Sequence, residues 1–207
     1  MKKIKSITAP FLLLIIICGC SEKKQENNLP NVVFIMADDM GYGDVSAYNE
    51  NSKIETPFID QLAEEGVMFT DAHTSSSVCT PTRYGIITGR YNWRSKLKKG
   101  VLSGYSKSLI KQERTTIAEF LKLNGYKTAY IGKWHLGWDW SIMEEDEQSR
   151  NNLNARPNVD FSKPVKNGPA THGFDYSYGF CGSLDMPPYV WVENDTPTMV
   201  PTKTTVN

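Results

Sequence analysis

A cysteine, a proline and an arginine at close spacing are the residues of this chain best placed to do chemistry. In the stretch C-T-P-T-R, Cys79 stands two positions before Pro81 and four before Arg83. Pro81 fits the first turn of a helix, so we expect Cys79 at a helix N-terminus, where unpaired backbone N–H groups attract anions. The alternative for Cys79 is a disulfide with Cys181, the default pairing in an exported protein.

A second group of polar residues follows two apolar runs. Asp38 and Asp39 come directly after V-V-F-I-M-A, and Lys133 and His135 come after K-T-A-Y-I. Adjacent carboxylates can bind a hard cation such as Ca²⁺ or Mg²⁺. Taken alone, an Asp-Asp pair is better explained by a turn cap beside a solvated acid, and a single histidine by a structural role.

The elements that must position these groups begin with a strand, a helix and a second strand. Val32–Ala37 is an apolar run typical of strands that are buried on both faces of a parallel sheet. Thr56 as N-cap, Pro57 at the first helical position and Gly66 as a stop predict a helix. The stretch V-M-F-T-D-A-H from Val67 predicts a short second strand.

The same order recurs further along the chain. T-P-T-R-Y-G-I-I-T predicts a helix that ends at Gly89, and Thr116 with Glu119 forms the capping box of another helix. Lys127–Ile131 predicts the strand that follows. Alternating strands and helices indicate an α/β fold, in which the carboxyl ends of parallel strands meet at one edge. We therefore expect the two acids, the lysine and the histidine to converge there.

The last third of the chain is less regular. The polar and acidic segment from Trp138 to Lys166 predicts a long loop or lid. The tail from His172 onward is rich in glycine, proline and aromatic residues and predicts short strands and turns.

The N-terminus indicates export. M-K-K-I-K-S-I-T-A-P-F-L-L-L-I-I-I-C-G-C combines a basic start with an apolar run too short to span a bilayer. We predict a signal peptide at residues 1–19, Cys20 as a lipidated N-terminus, a polar tether at residues 20–29 and a folded domain over residues 30–207. The expected location is that of a bacterial lipoprotein facing the periplasm or the cell surface. A plain signal peptide without lipid is the alternative.

The charge balance bears on partners. The 23 lysines and arginines equal the 23 aspartates and glutamates, so the formal net charge is 0. Because the basic residues are scattered and form no stripe, the sequence does not indicate a nucleic-acid partner.

The C-T-P-T-R stretch resembles the C-x-P-x-R signature of type I sulfatases. T-G-R-Y, P-N-V-V-F-I-M-A-D-D-M-G-Y-G-D and G-Y-K-T-A-Y-I-G-K-W-H-L-G are similar, in order and spacing, to other N-terminal blocks of that family. The resemblance implies the alkaline-phosphatase-like α/β fold, a mixed and mostly parallel sheet with helices on both faces. It also implies that these residues form the N-terminal part of that fold, so that the sheet is incomplete in this chain.

For chemistry, the resemblance implies sulfate ester hydrolysis with a divalent cation, Ca²⁺ or alternatively Mg²⁺. A formylglycine-generating enzyme oxidises the signature cysteine, one hydroxyl of the hydrated aldehyde attacks sulfur, and the other later releases sulfate. Cys181 is then a free thiol. The corresponding residues here are Cys79, Arg83 and His135 as catalytic groups, Asp38, Asp39 and Cys79 as metal ligands, and Lys133, His135 and Ser183 as substrate-binding groups.

The chain also departs from the family pattern. An Asp-Asn pair that completes the metal site, a further histidine and a second lysine have no counterpart in these 207 residues. Three hypotheses stay open: a sulfatase acting on a sulfated small molecule or polysaccharide, a truncated and catalytically inert fragment, and a phosphonate or phosphate monoester hydrolase of the same superfamily.

Overall fold

The structure is a computed structural model that describes residues 29–143 and 156–203. The predicted signal peptide, Cys20 and all but the end of the tether lie outside the described residues. The chain divides into a short N-terminal part, Met1–Ala37, and a larger compact unit, Asp38–Asn207. In the described ranges, no helix has the length and apolar character needed to cross a membrane.

The described end of the N-terminal part does not form the strand predicted at Val32–Ala37. Residues 29–37 have no regular secondary structure. The side chains of the apolar run from Val32 to Ile35 are between 62 % and 83 % exposed. A strand needs a neighbour to pair with, and none of the described strands pairs with this run. The predicted buried strand is therefore wrong for this structure.

The helices of the larger unit follow the predicted start and stop signals. They are α1 (Pro57–Glu65), α2 (Cys79–Thr88) and α3 (Ile117–Leu123). The capping box of α3 is present: the N–H of Thr116 donates to Oε2 of Glu119 at 2.9 Å, and the N–H of Glu119 donates to Oγ1 of Thr116 at 3.2 Å. Gly89 ends α2 with a φ of 63°, a left-handed conformation that glycine adopts without steric cost.

The described strands form one mixed sheet. They are β1 (Ala129–Lys133), β2 (Tyr176–Phe180), β3 (Val192–Glu193) and β4 (Thr196–Pro197), in the order β1-β2-β3-β4. β1 and β2 are parallel, and the other pairs are antiparallel. β1 begins two residues later than predicted, so Lys133 is its last residue rather than a residue beyond its end. The short strands predicted for the tail are present.

The second strand predicted from Val67 is not formed. Val67, Met68 and Phe69 are 78 %, 42 % and 68 % exposed, and the described residues from 67 to 78 form neither helix nor strand. The predicted second strand is therefore wrong for this structure, because no described strand pairs with these residues.

The core is built around the turn that follows β1. Trp134, Leu136 and Trp138 are each at most 1 % exposed. The indole N–H of Trp134 donates to the carbonyl of Gly137 at 3.0 Å. Gly137 has a φ of 70° and lies against the backbone of Lys107, where a Cβ atom has no room. The turn is therefore fixed on both sides, and so is the end of β1.

The segment predicted as a loop or lid, Trp138 to Lys166, is packed at both ends. Trp140, Val159 and Val165 are at most 8 % exposed. Asp139 and Lys166 exchange two backbone hydrogen bonds of 2.7 and 2.8 Å. The middle, residues 144–155, lies outside the described residues, so the lid prediction is wrong for the flanks and stays a prediction for the middle.

Candidate active site

The first turn of α2 holds Cys79 at the start of the helix, as the sequence predicts. Cys79 is half-buried and the next residues are buried. The hydroxyl of Thr80 donates to the carbonyl of His135 at 2.9 Å and accepts from the N–H of Leu102 at 3.1 Å. These contacts tie the start of α2 to the turn after β1 and so fix the position of the helix N-terminus, where unpaired backbone N–H groups favour an anion.

Lys133 joins most of the predicted site residues. Its side chain is 7 % exposed. Its Nζ lies 2.7 Å and 3.0 Å from the two carboxylate oxygens of Asp38, 3.3 Å from Sγ of Cys79 and 3.3 Å from Oγ of Ser183. The structure therefore brings Asp38 and Lys133 together as predicted, although Asp38 follows an irregular segment rather than the predicted strand.

Arg83 supports this arrangement from the second turn of α2. Its Nη2 lies 3.3 Å from Oδ1 of Asp38, and its Nη1 donates to the carbonyl of Lys133. The hydroxyl of Tyr130 donates to the same carbonyl. Burial raises the pKa of Tyr130, which keeps its hydroxyl protonated as a donor. The end of β1 is thus held by two donors, one of which, Tyr130, the sequence did not single out.

The charges around Asp38 set its ionisation. Burial acts to raise the pKa of Asp38, but the hydrogen bond and charge of Lys133, together with those of Arg83, outweigh it. The pKa therefore lies below its ordinary value of 3.8. Asp38 is ionised at neutral pH and can serve as an anionic ligand.

The two acids and the cysteine could hold a cation. One ligand atom from each of Asp38, Asp39 and Cys79 lies within 4.8 Å of the other two. Carboxylates suit a hard cation, and oxidation of Cys79 to an aldehyde hydrate would exchange its sulfur for the oxygen that such cations prefer. The donor set therefore fits Ca²⁺ or Mg²⁺ as part of a coordination shell that needs further oxygens.

His135 is placed differently from Lys133. It is 0 % exposed, its Nε2 donates to the carbonyl of Leu102 at 2.7 Å, and its Nδ1 is buried without a hydrogen-bond partner among the described residues. Burial lowers its pKa, and the charges of Lys133 and Arg83 add to that effect. The ring is therefore neutral, with Nδ1 as an acceptor, and it could donate to a sulfate oxygen through Nδ1 only after protonation. Its role in binding sulfate stays a prediction.

Asp185 belongs to the site although the sequence reasoning did not name it. A hydrogen bond from Ser183 lowers the pKa of Asp185, and the charges of Lys133 and His135 lower it further. Ser183 therefore lies between an acid and the lysine, which orients its hydroxyl. The available signal was the S-L-D spacing in the tail, where a serine can bond an acid two residues later.

The remaining cysteine and histidines lie apart from this cluster. Cys79 and Cys181 are free thiols in the part of the chain that the structure describes, so the disulfide alternative is wrong. Cys181 is buried, and burial raises its pKa to about 12. His73 is exposed and contacts Asp71 at 2.7 Å. His172 is fully buried and stacks on Trp134, in agreement with a structural role.

Known proteins are similar to this chain in sequence and in fold. A family model described as Sulfatase matches residues 30–197. The N-acetylgalactosamine-6-O-sulfatase of Bacteroides thetaiotaomicron is 35 % identical over 199 residues, which are 94 % of this chain and 36 % of that protein. This chain therefore spans about a third of that relative's length.

Two solved structures are similar in fold. One comes from work on the metabolism of multiple glycosaminoglycans by Bacteroides thetaiotaomicron. It matches with a TM-score of 0.69 at 37 % identity, over 82 % of this chain and 32 % of that one. The other is Ps i-CgsB in complex with k-i-k-neocarrahexaose. It matches with a TM-score of 0.51 at 30 % identity, over 70 % of this chain and 27 % of that one.

Proposed function

The chain belongs to the sulfatase family, and on that premise we propose that it carries the nucleophile side of a site that hydrolyses sulfate esters. The observation that carries the proposal is the contact of 3.3 Å between Nζ of Lys133 and Sγ of Cys79 at the N-terminus of α2. An ammonium group and backbone N–H groups together attract the anionic sulfate group to the side chain that must react. The mixed α/β sheet agrees with the fold of the family.

Each residue of the cluster has a task in this proposal. Lys133 holds a sulfate oxygen and stabilises the negative charge that develops as the ester bond breaks. Ser183 accepts from Nζ of Lys133 and donates to Asp185, so it orients the ammonium group that binds sulfate. Arg83 holds the carbonyl of Lys133 and the carboxylate of Asp38, which keeps both groups in position.

Three groups complete the proposed chemistry. Cys79, once oxidised to formylglycine by a formylglycine-generating enzyme, supplies the attacking hydroxyl as a hydrated aldehyde. When bound by Asp38 and Asp39, a divalent cation, Ca²⁺ in our proposal, supplies Lewis-acid polarisation of oxygen. His135 donates through Nε2 to the carbonyl of Leu102, and its Nδ1, once protonated, would donate to a sulfate oxygen.

The substrate and location extend the proposal. We infer a sulfated saccharide, because one relative is named for a sulfated amino sugar and one similar structure holds a carrageenan fragment. Export with a lipid on Cys20 fits a saccharide met outside the cytoplasm. Radiolabelled palmitate on the wild-type protein, absent from Cys20→Ser, tests the anchor.

The experiment uses the whole protein that carries this chain, coexpressed with a formylglycine-generating enzyme. Mass spectrometry should find an aldehyde in place of the thiol at residue 79. Cys79→Ala should lower turnover of p-nitrophenyl sulfate by about 10⁴-fold or more. Cys181→Ala, which removes the buried free thiol, is the matched control and should keep both the aldehyde and the activity.

Two outcomes would overturn the proposal. Near-normal turnover by Cys79→Ala excludes Cys79 as the source of the nucleophile. Hydrolysis of p-nitrophenyl phosphate that depends on Cys79, with no hydrolysis of the sulfate, assigns the site to the phosphate branch of the superfamily instead.

A further inference from the structure

A cleft of about 570 Å³ lies beside the C-terminal half of α2. Tyr84 and Arg90 are part of its wall. The residues that contact Nζ of Lys133 do not line this cleft. Cys79 begins α2 and Arg90 follows its C-terminal end, and at a rise of about 1.5 Å per residue the two ends of the helix are roughly 13 Å apart. The cleft is therefore distinct from the candidate active site.

The wall of the cleft is strongly cationic. It holds six basic side chains against two acids, Asp139 and Glu113, and Glu113 lies 3.8 Å from Lys111, one of the six. Among the described residues, no carboxylate lies within 4.0 Å of any of the three arginines. The cationic residues are Arg90, Arg94, Lys96, Lys107, Lys111 and Arg114.

Two stacked aromatic rings lie in the sequence between two of these arginines. The rings of Tyr91 and Trp93 are 4.1 Å apart with an interplanar angle of 11°, and each residue is 57 % exposed. The turn that carries them is held by a 3.1 Å bond from the N–H of Arg94 to the carbonyl of Tyr91. Nζ of Lys98 also donates to the carbonyl of Trp93 at 2.8 Å. Fixed and exposed aromatic residues beside cations are typical of a binding surface rather than of an ordinary solvated face.

We propose that this cationic cleft, together with Tyr91 and Trp93, binds an anionic saccharide chain that carries sulfate or carboxylate groups. Each arginine presents a planar fork of donors that matches the paired oxygens of such groups. The apolar faces of sugar rings can lie on the exposed aromatic rings. The choice of a saccharide over another polyanion rests on the proposed function, whereas the binding of a polyanion does not.

The neutral polar groups of the wall favour a saccharide as well. Ser95, Ser108, Gln112 and Asn167 line the same cleft as the cations. Each already makes a hydrogen bond inside the protein, and the lone pairs and N–H groups that remain can bond sugar hydroxyls, which a bare phosphate backbone offers only in small number. A site for a long chain at this distance from Cys79 would retain a polymer while its ester groups are cleaved.

The test measures binding in the Cys79→Ala background, so that the probe is not hydrolysed. A dextran sulfate oligosaccharide is titrated calorimetrically into the protein, with uncharged dextran of equal length as the reference probe. The double change Arg90→Glu and Arg94→Glu should weaken binding of the sulfated probe by about tenfold or more. Trp93→Ala should weaken it by roughly threefold to tenfold. The matched control is Lys53→Glu with Lys163→Glu, two exposed lysines outside the cleft, which should change binding by less than about twofold.

The outcomes separate this inference from the proposed function. Equal loss in the cleft and control variants would show nonspecific attraction and overturn the inference. The choice of a saccharide would be overturned by two results together. Only the arginine change would weaken binding of the sulfated probe, with no effect of Trp93→Ala, and the protein would bind single-stranded DNA with the same affinity as that probe. In the protein with Cys79 intact, the cleft variants should turn over p-nitrophenyl sulfate at the wild-type rate. If that activity is absent from every variant while the sulfated probe still binds through the cleft, the proposed function fails and the inference stands.

Discussion

The turn after β1 and helix α1 both carry several apolar side chains, but their surroundings differ. In the turn, Trp134, Leu136 and Trp138 are at most 1 % exposed. In α1 no residue is buried, and Phe58 and Leu62 are 81 % and 65 % exposed. Apolar side chains are buried only where another element packs against them. Among the described residues, such packing is present at the turn and absent at α1. Two residues of the proposed site, Lys133 and Cys79, lie on the packed side, at the end of β1 and at the start of α2.

The largest effect should come from the core of the packed region. Trp134→Ala removes a fully buried indole and its hydrogen bond, and should lower the free energy of unfolding by about 3–5 kcal/mol. Leu62→Ala on α1 should change it by no more than about 0.5 kcal/mol, because that side chain already faces water. Urea unfolding followed by tryptophan fluorescence and circular dichroism measures both. Similar losses for the two variants would show that α1 is packed and would remove the contrast.

The next largest effect should be on kcat, through Lys133 at the packed end of β1. Lys133→Ala, in the whole protein, removes the ammonium that contacts Cys79 and should lower kcat by about 10²-fold to 10³-fold. Lys127→Ala changes an exposed lysine just before β1 and should leave kcat unchanged. Steady-state turnover of p-nitrophenyl sulfate decides the point, and equal kcat values for the two variants would exclude Lys133 from the site.

A smaller effect should appear as the pH falls. Burial lowers the pKa of His172 below its ordinary value of 6.5. Below that pH the unfolded chain binds a proton that the folded chain does not, so the free energy of unfolding decreases as the pH falls, by up to about 1.4 kcal/mol per pH unit. His172→Phe keeps a ring against Trp134 and should flatten the slope between pH 6.5 and pH 5 that urea titrations measure. His73→Gln, at an exposed position, is the control, and an unchanged slope in His172→Phe would contradict the assignment.

The smallest effect concerns the exposed region itself. Phe58→Ser with Leu62→Ser should reduce binding of a hydrophobic dye to the 207-residue chain and slow its aggregation, with less than about 0.5 kcal/mol change in stability. Fluorescence titration and light scattering at several protein concentrations measure these changes. A large loss of stability would mean that the two side chains make contacts that this structure lacks.

Because this chain spans about a third of a relative's length, we also expect it to turn over aryl sulfates poorly by itself.

The predictions from the sequence succeeded where the interactions are local. Helix ends are set by caps, which act within a few residues of the end. Pro57 and Gly66 mark the ends of α1, Gly89 marks the end of α2, and Thr116 with Glu119 marks the start of α3. The predictions are wrong at Val32–Ala37 and from Val67 onward, because each apolar run predicts a strand that the structure does not form. A strand depends on a neighbour that is remote in the sequence, and no local signal reports whether it is present.

The sequence by itself thus determined the helix that begins at Cys79, the residue types around it and the family. Tertiary structure decided which groups meet. The ion pair between Asp38 and Lys133 joins residues 95 positions apart, and the same packing turns His135 toward Leu102 rather than toward Cys79 in its hydrogen bonding. It also gathers basic residues that look scattered in the sequence into one cationic cleft. Helix caps and motifs are short-range properties of the chain, whereas contact, burial and charge density follow from packing between distant segments.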